Sequence, residues 1–302
     1  MIIDAHVHLV TMSMILSAQK KWDRVKPGIM ERAIAHGRAL IKRETLTFLK
    51  SVSIPALAHM WLEQMDKNGV DKALFLPIRG EGLSELDEFI SLAPDRFKGY
   101  VFLDDPVKKS SQAVLRRWLA TGRFRGLKLY PSLQMISAAD KRLFPLYDIC
   151  AEYSAPVLMH FGITHAPVSD YRFTNPLDIQ YPSKLFPDTQ FMIAHFGAGF
   201  FREILLLGFH SENIHLDTSG TNNWRLFLPS VMGLDGIFKR AIEVYGCQRI
   251  LFGTDSVLNG VAGYRQFVLD EQAKVLKAIK LKKNDQALIM GGNAQRLFNL
   301  DK

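Results

Sequence analysis

The amino-acid sequence predicts an α/β fold, a single (β/α)8 TIM barrel with a helical insertion after its first strand. Three observations lead there. Eight short apolar runs rich in β-branched and aromatic residues recur along the 302 residues, separated by longer segments with helical periodicity. Strands that alternate with helices imply parallel βαβ units, and eight such units suggest closure into a barrel. No Gly-rich turn follows the first run, as an open doubly wound sheet would need to hold phosphate. The third observation is a break in the rhythm: about sixty residues separate His8 from Asp71, far more than one crossover helix requires.

In order, the strands are expected over residues 2–8, 71–77, 98–103, 126–130, 156–160, 189–195, 214–217 and 249–253. Helical periodicity fills the intervals, as in residues 84–91, 110–121, 143–153 and 238–245, and from Phe267 the tail reads as two closing helices, the last over 286–299. The insertion covers about residues 11–68, with helical composition in 27–50 and 54–68. It follows the C-terminal end of a barrel strand, where such folds build their sites. It is therefore expected to cap the pocket and to offer Trp22, His36, His59 or Trp61 to a ligand; an extra packing layer or a subunit contact is the alternative. The length would also allow two domains, but α/β barrels of roughly 200–250 residues with insertions run as one, so residues 1–302 are read as one domain.

Composition narrows the function classes. With 48% hydrophobic and 23% charged residues the chain is a globular protein with a sizeable core. No basic n-region precedes a long apolar run, and the apolar stretches are strand-sized, so neither a signal peptide nor a membrane span is expected. Cys150 and Cys247 lie in separate segments without a C-x-x-C partner, which fits free thiols in a reducing, cytoplasmic setting. The net charge of +8 is spread over pairs such as Lys20-Lys21, Lys108-Lys109, Arg116-Arg117 and Lys282-Lys283 and never forms a tract, which argues against nucleic acid and for an anionic small molecule.

The chemistry collects at strand ends. The first strand closes Asp4-Ala5-His6-Val7-His8, and strict alternation would put Asp4, His6 and His8 on one face. Two imidazoles so spaced can hold one metal ion, though the pair alone is a weak signal, since most histidines are surface or satisfied core residues. Two later runs, Pro156-Val-Leu-Met-His160-Phe-Gly162 and Phe191-Met-Ile-Ala-His195-Phe-Gly197, also end in histidine, where a strand buried on both faces should stay apolar. The last reads Ile250-Leu-Phe-Gly-Thr-Asp255, ending in an acid at the same level. Four strand ends thus bring N and O donors to the face where barrels do chemistry.

With these motifs, with Gly126-Leu-Lys128-Leu-Tyr130-Pro131, and with the closing Ile289-Met-Gly-Gly-Asn293-Ala294-Gln-Arg296-Leu297-Phe298, nearly the whole chain resembles the amidohydrolase superfamily. The match is to its amidohydrolase-related branch, which includes aminocarboxymuconate-semialdehyde decarboxylase, aromatic-acid decarboxylases and lactone hydrolases. The resemblance implies that His6, His8, His160 and Asp255 hold one divalent ion, most often zinc in this branch. It implies that His195 serves beside the bound water as base or electrostatic partner, with Asp255 as ligand and proton shuttle. A metal-dependent hydrolase acting on an ester, lactone or amide of an anionic molecule is the first expectation. A non-oxidative decarboxylase is the second, and an inactive binding barrel the third. A homodimer is a further expectation.

Lys128 admits three roles: a protonated contact for an anionic substrate, which is favoured, a carboxylated bridge between two metals, or a structural ion pair. Arg79 and Arg225, beyond the second and seventh strands, are weaker anion-binding candidates that solvated loop residues would equally explain. Asp217 is a candidate to orient the first-strand histidines and Asp4 a structural acceptor; His165, in the loop after the fifth strand, either supports the site from behind or is merely exposed, while His210 and His215 match no ligand position.

Overall fold

A computed structural model describes residues 1–35, 42–164, 166–220 and 222–301 of the protein, so the expectations for His36 and His165 lie outside the described residues. Among the described residues nine parallel strands form one sheet: β1 Ile3–Leu9, β2 Lys72–Pro77, β3 Phe97–Phe102, β4 Phe124–Leu129, β5 Val157–Met159, β6 Phe191–Ile193, β7 Ile214–Asp217, β8 Ile250–Leu251 and β9 Ser256–Val257. Their order is β8-β7-β6-β5-β4-β3-β2-β1-β9. The eighth strand expected over 249–253 contains β8, and β9 follows just beyond it. Leu216 of β7 pairs with Ile250, and Val7 of β1 pairs with Ser256. Between them Ala5 N donates to Phe252 O at 2.9 Å and Asp255 N to His6 O at 2.8 Å. The sheet therefore closes on itself, and the backbone break at 252–255 falls where Asp255 leaves the strand.

Alternation along the strands builds two apolar layers. Leu74, Leu76, Tyr100, Leu158, Met192 and Leu251 fill the interior, plugged from one end by Leu297 and Phe298 of the terminal helices. Their neighbours, Phe75, Val101, Leu127, Val157 and Phe191 among them, face outward under the helices. Burying each such side chain contributes roughly 1.5–3 kcal/mol, so this double layer fixes the strand ends on which the site stands. The closing segment is three pieces, Lys283–Ala287, a π-helical turn Leu288–Gly292 and Asn293–Leu297, where one helix was expected. At that turn Gly291 lies against the start of β1, and a Cβ there would stand 2.8 Å from the Met1 carbonyl.

The segment between β1 and β2 divides. Helix Ile54–Asn68 begins at Ser53, whose side chain accepts from Ala56 N, and ends at Gly69 with φ 65°. Its buried residues Leu57, Ala58, Trp61 and Met65 lie on one face and join the core under the helices. Trp61 is fully buried, its ring 4.9 Å from Phe75, and His59 is exposed beside Glu63. Neither is offered to the pocket, because this helix is the barrel's own outer layer. Helices Met12–Val25, Ile29–Ala35 and Arg43–Ser51 precede it. Cys150 and Cys247 are free and buried, and among the described residues no helix is long and apolar enough to cross a membrane.

Candidate metal centre

The first strand does not alternate as a regular strand would. Its register against β2 shifts between Asp4 and Val7, and this bulge turns Ile3 and Ala5 into the interior and still aims His6 and His8 at the site. Asp4 consequently leaves the site face. Its carboxylate accepts from Thr254 N at 3.0 Å, Thr254 Oγ1 at 2.5 Å and Tyr264 OH at 3.0 Å. It acts as the structural acceptor expected, but on the other side of the strand.

A chain of hydrogen bonds sets the histidine tautomers. Asp217 is fully buried at the end of β7; its Oδ1 accepts from Ser219 N at 2.7 Å and its Oδ2 from Ser219 Oγ at 2.9 Å. The same Oδ2 stands 2.5 Å from His6 Nδ1, so that nitrogen donates and Nε2 keeps its lone pair. Ser219 gives its proton to Asp217 and accepts at 2.8 Å from His195 Nδ1, which leaves the His195 Nε2 lone pair free. His160 donates from Nε2 to the Ile163 carbonyl at 2.8 Å and so presents Nδ1. Asp217 orients His6 alone of the two first-strand histidines. Ser219, which sequence reasoning passed over, orients His195; its position two residues beyond Asp217 was the available signal.

These lone pairs converge. His195 Nε2 and His160 Nδ1 are 3.2 Å apart, and His6 Nε2 is buried without a hydrogen-bond partner. Burial, reinforced by the positive charge of Lys128, holds His6 well below its ordinary pKa, and burial beside His195 does the same to His160. Burial likewise lowers His195, to about 4. Protons are therefore disfavoured on these nitrogens near neutral pH, and their lone pairs are available to a cation. The residues fit a divalent ion.

The carboxylate completes the set. Asp255 Oδ1 lies 3.0 Å from His8 Nε2 and 3.6 Å from His6 Nε2, while Oδ2 accepts from Arg265 Nη1 at 2.8 Å. Burial pushes the Asp255 carboxyl up, but His8, His195 and Arg265 together hold it well below the usual carboxylate range. Arg265 was not foreseen, because nothing local marks a residue ten positions past Asp255 as its partner. Donor atoms of His6, His195 and Asp255 all lie within 4.8 Å of one another. His195, placed beside the ion by the sequence reading, is thus geometrically a candidate ligand too. Two of these side chains leave strands on strained backbone, with φ 57° at His195 and 58° at Asp255, a left-handed region that side chains other than glycine rarely adopt. Gly253 lets the cluster close up: a Cβ there would stand 2.9 Å from Asp217 Oδ1 and 3.0 Å from His6 Cβ.

A cavity of about 240 Å³ opens over these groups. His8, His160, His195, Asp255, Lys128 and Arg265 line it, together with a largely apolar wall. Lys128 is buried and, among the described residues, its Nζ has no hydrogen-bond partner; the Tyr130 ring lies 5.7 Å away. Burial lowers its pKa to about 8, against the pull of Asp217 and Asp255. No ion pair within 4 Å holds it among the described residues, so the structural ion pair is not what the structure shows. The other cations considered stand elsewhere. Arg79 pairs with Asp104 at 2.6 Å, and Arg225 donates to the Asn222 carbonyl and faces Glu271. His215 is buried against Gln190, and His210 is exposed at a helix end.

Fold and site together define a parallel (β/α)8 barrel with a candidate His/Asp metal centre at its strand C-termini. The chain belongs to the amidohydrolase family, whose model, described as Amidohydrolase, matches residues 3–300. Among solved structures it is similar to an uncharacterized TIM-barrel protein from Bordetella bronchiseptica, at 22% identity and a TM-score of 0.68 over 99% of this chain and 98% of that one. It is similar also to a 5-carboxyvanillate decarboxylase from Novosphingobium aromaticivorans, complexed with manganese and 4-hydroxy-3-methoxy-5-nitrobenzoic acid, at 14% identity and a TM-score of 0.70 over 99% and 96%. A third is 4-oxalomesaconate hydratase from Rhodopseudomonas palustris, at 20% identity and a TM-score of 0.61 over 99% and 96%. At these identities the likeness is one of fold. No curated protein sequence matches the chain.

Proposed function

We propose that the protein is a divalent-metal-dependent hydrolase that cleaves an ester, lactone or amide bond in a small carboxylate. One observation carries the proposal: donor atoms of His6, His195 and Asp255 lie within 4.8 Å of one another, His160 Nδ1 lies 3.2 Å from His195 Nε2, and each of these three histidines is fixed by a hydrogen bond through its other ring nitrogen. His6, His8, His160 and Asp255 would hold one ion, and neutral imidazoles with a carboxylate suit zinc. Such an ion, when bound, is a Lewis acid and lowers the pKa of water towards neutrality.

The chain's own residues do the rest. His195 Nε2 accepts the proton of a water as it adds to the substrate carbonyl, and Ser219 with Asp217 holds the ring and stabilises the imidazolium that results. Arg265 keeps Asp255 ionised and oriented. Lys128, a buried ammonium without a partner, receives the substrate carboxylate. The apolar wall excludes bulk water and strengthens both contacts.

A second reading, non-oxidative decarboxylation, has its own support. Lys128 lines the cavity with its pKa lowered to about 8, which suits it to give up a proton, and a proton must replace the departing CO2. The manganese-complexed structural relative is a decarboxylase. Product analysis tests the two: metal-loaded protein is incubated in 18O-water with lactones and aryl esters that carry a carboxylate, and separately with substituted benzoates. One heavy oxygen in a released acid supports hydrolysis. Loss of CO2 from a benzoate, with lactones and esters untouched, overturns it in favour of the second reading.

A further inference from the structure

The helix after the last strand sends one polar side chain into an otherwise apolar face. Helix Gln266–Ala278 buries Val268, Leu269, Gln272 and Leu276, at spacings that put all four on one side. A leucine at the third position would suit that pattern. Gln272 is instead 1% exposed, and an amide buried that far destabilises the fold unless both its ends are hydrogen-bonded.

Both ends meet one residue. Gln272 Nε2 donates to the Thr218 carbonyl at 2.8 Å, and Thr218 Oγ1 donates to Gln272 Oε1 at 2.7 Å. The directions are forced. A carbonyl opposite one end of the amide makes that end the NH2, so the other end is the oxygen and the hydroxyl must donate to it. The same hydroxyl accepts from Gly253 N at 3.3 Å, and Thr218 N donates to the Leu251 carbonyl at 3.0 Å. Fully buried Thr218 thus joins the helix to the end of β7 and to the backbone just before Asp255.

Thr218 also stands between the two residues that set the histidine tautomers. Asp217 faces His6 Nδ1 at 2.5 Å, and Ser219 Oγ accepts from His195 Nδ1 at 2.8 Å. Such bonds weaken steeply when their geometry slips. The helix holds the following loop as well: Glu271 accepts from Asn222 Nδ2 at 2.8 Å and faces Arg225 at 3.7 Å. There is little slack between that loop and the site, since a Cβ at Gly220, with φ 105°, would stand 3.3 Å from His195 Nδ1.

We propose that Gln272 is a positioning residue for the metal centre: by clamping Thr218 it sets where Asp217 stands against His6 and Ser219 against His195. It touches neither ion nor substrate. This role rests on the reading that these histidines hold or serve a divalent ion, and it extends the support of the centre to a helix outside the strands.

Two readouts on the 302-residue protein test it, with Gln272→Leu, Thr218→Val, Thr218→Ser and, as a packing control on the same helix face, Leu276→Ala. The first is zinc affinity, by competition with a chromophoric chelator. Gln272→Leu and Thr218→Val each weaken it about 3- to 10-fold, within the range of one net hydrogen bond. Thr218→Ser keeps the hydroxyl and stays within about 2-fold of wild type, while Leu276→Ala loses stability with its affinity unchanged. The second is the His195 tautomer in metal-free protein at about pH 8, above the ordinary histidine range, read from the ring 15N spectrum and assigned by its absence in His195→Asn. Wild type, Thr218→Ser and Leu276→Ala show the Nδ1–H form, and the Nε2–H form appears in Gln272→Leu and Thr218→Val. Thr218→Val against Thr218→Ser carries both comparisons if Gln272→Leu does not fold. Wild-type affinity in Gln272→Leu and Thr218→Val, equal weakening by Thr218→Ser or Leu276→Ala, or an unchanged His195 tautomer overturns the inference. A wild type that binds no divalent ion removes the proposed function instead, and the tautomer comparison still decides the role of Gln272.

Discussion

Replacing Asp217 by asparagine perturbs the group that sets the His6 tautomer. Asp217 Oδ1 accepts from Ser219 N at 2.7 Å, so the oxygen of an asparagine amide belongs at that position and its NH2 takes the place of Oδ2. That NH2 then faces His6 Nδ1, across what is now a 2.5 Å contact. Two donors cannot share it. The imidazole moves its proton to Nε2, and the lone pair aimed at the ion is lost. Losing a carboxylate behind a ligating histidine typically weakens metal binding about 10- to 100-fold, or about 1.4–2.7 kcal/mol. Competitive titration against a chromophoric chelator, with zinc and with manganese, reads this directly. The metal-free variant should unfold at nearly the wild-type denaturant midpoint, since a buried carboxyl whose pKa burial has raised is removed with it. Undiminished metal affinity in Asp217→Asn would refute the tautomer assignment.

Three further outcomes follow from the same geometry. Gly253→Ala puts a methyl 2.9 Å from Asp217 Oδ1 and Ser219 Cβ, which should cost about 1–3 kcal/mol by denaturant unfolding and weaken metal binding; a variant with wild-type values would show that the cluster is not tightly packed there. Lys128→Met should raise KM for a carboxylate substrate more than for its neutral amide or ester, with metal content unchanged; lost metal would instead favour a bridging, carboxylated lysine. The buried His215 has a pKa lowered to about 3, chiefly by burial and further by Arg296 and Arg249. The unfolded chain therefore takes up that proton first, and stability present above about pH 6.5 is lost as pH falls towards 3. His215→Leu should remove about 2 kcal/mol of the acid-induced loss between about pH 6.5 and 4.5, and an unchanged slope of stability against pH would contradict it.

The sequence made the barrel and its donors visible because both depend on local pattern. A histidine that ends an apolar strand at His160 and His195, or an acid at Asp255, stands out against residues that should all be apolar, and each lies at the cavity. What escaped depends on pairing between distant segments. The bulge that moves Asp4 off the site face is a register shift of β1 against β2, and alternation along one strand cannot reveal it. The split of the last strand arises where Asp255 N turns to the His6 carbonyl. Trp61 reads as a pocket aromatic by proximity to the insertion, yet its helix presents it to Phe75. Ser219 is marked only by its place two residues beyond Asp217, and Arg265 by nothing local; their roles depend on being brought to His195 and Asp255.

The most direct test of a single-ion centre on His6, His8, His160 and Asp255 is the metal-to-protein ratio of wild type, His160→Ala and His195→Asn, measured by mass spectrometry on proteins purified alike. One divalent ion per wild-type chain is expected. His160→Ala should lose it and its turnover while keeping the fold, and His195→Asn should keep most of it while kcat falls about 100-fold or more, the scale of general base catalysis. Two ions in wild type, a fully loaded and active His160→Ala, or an empty His195→Asn would contradict the account.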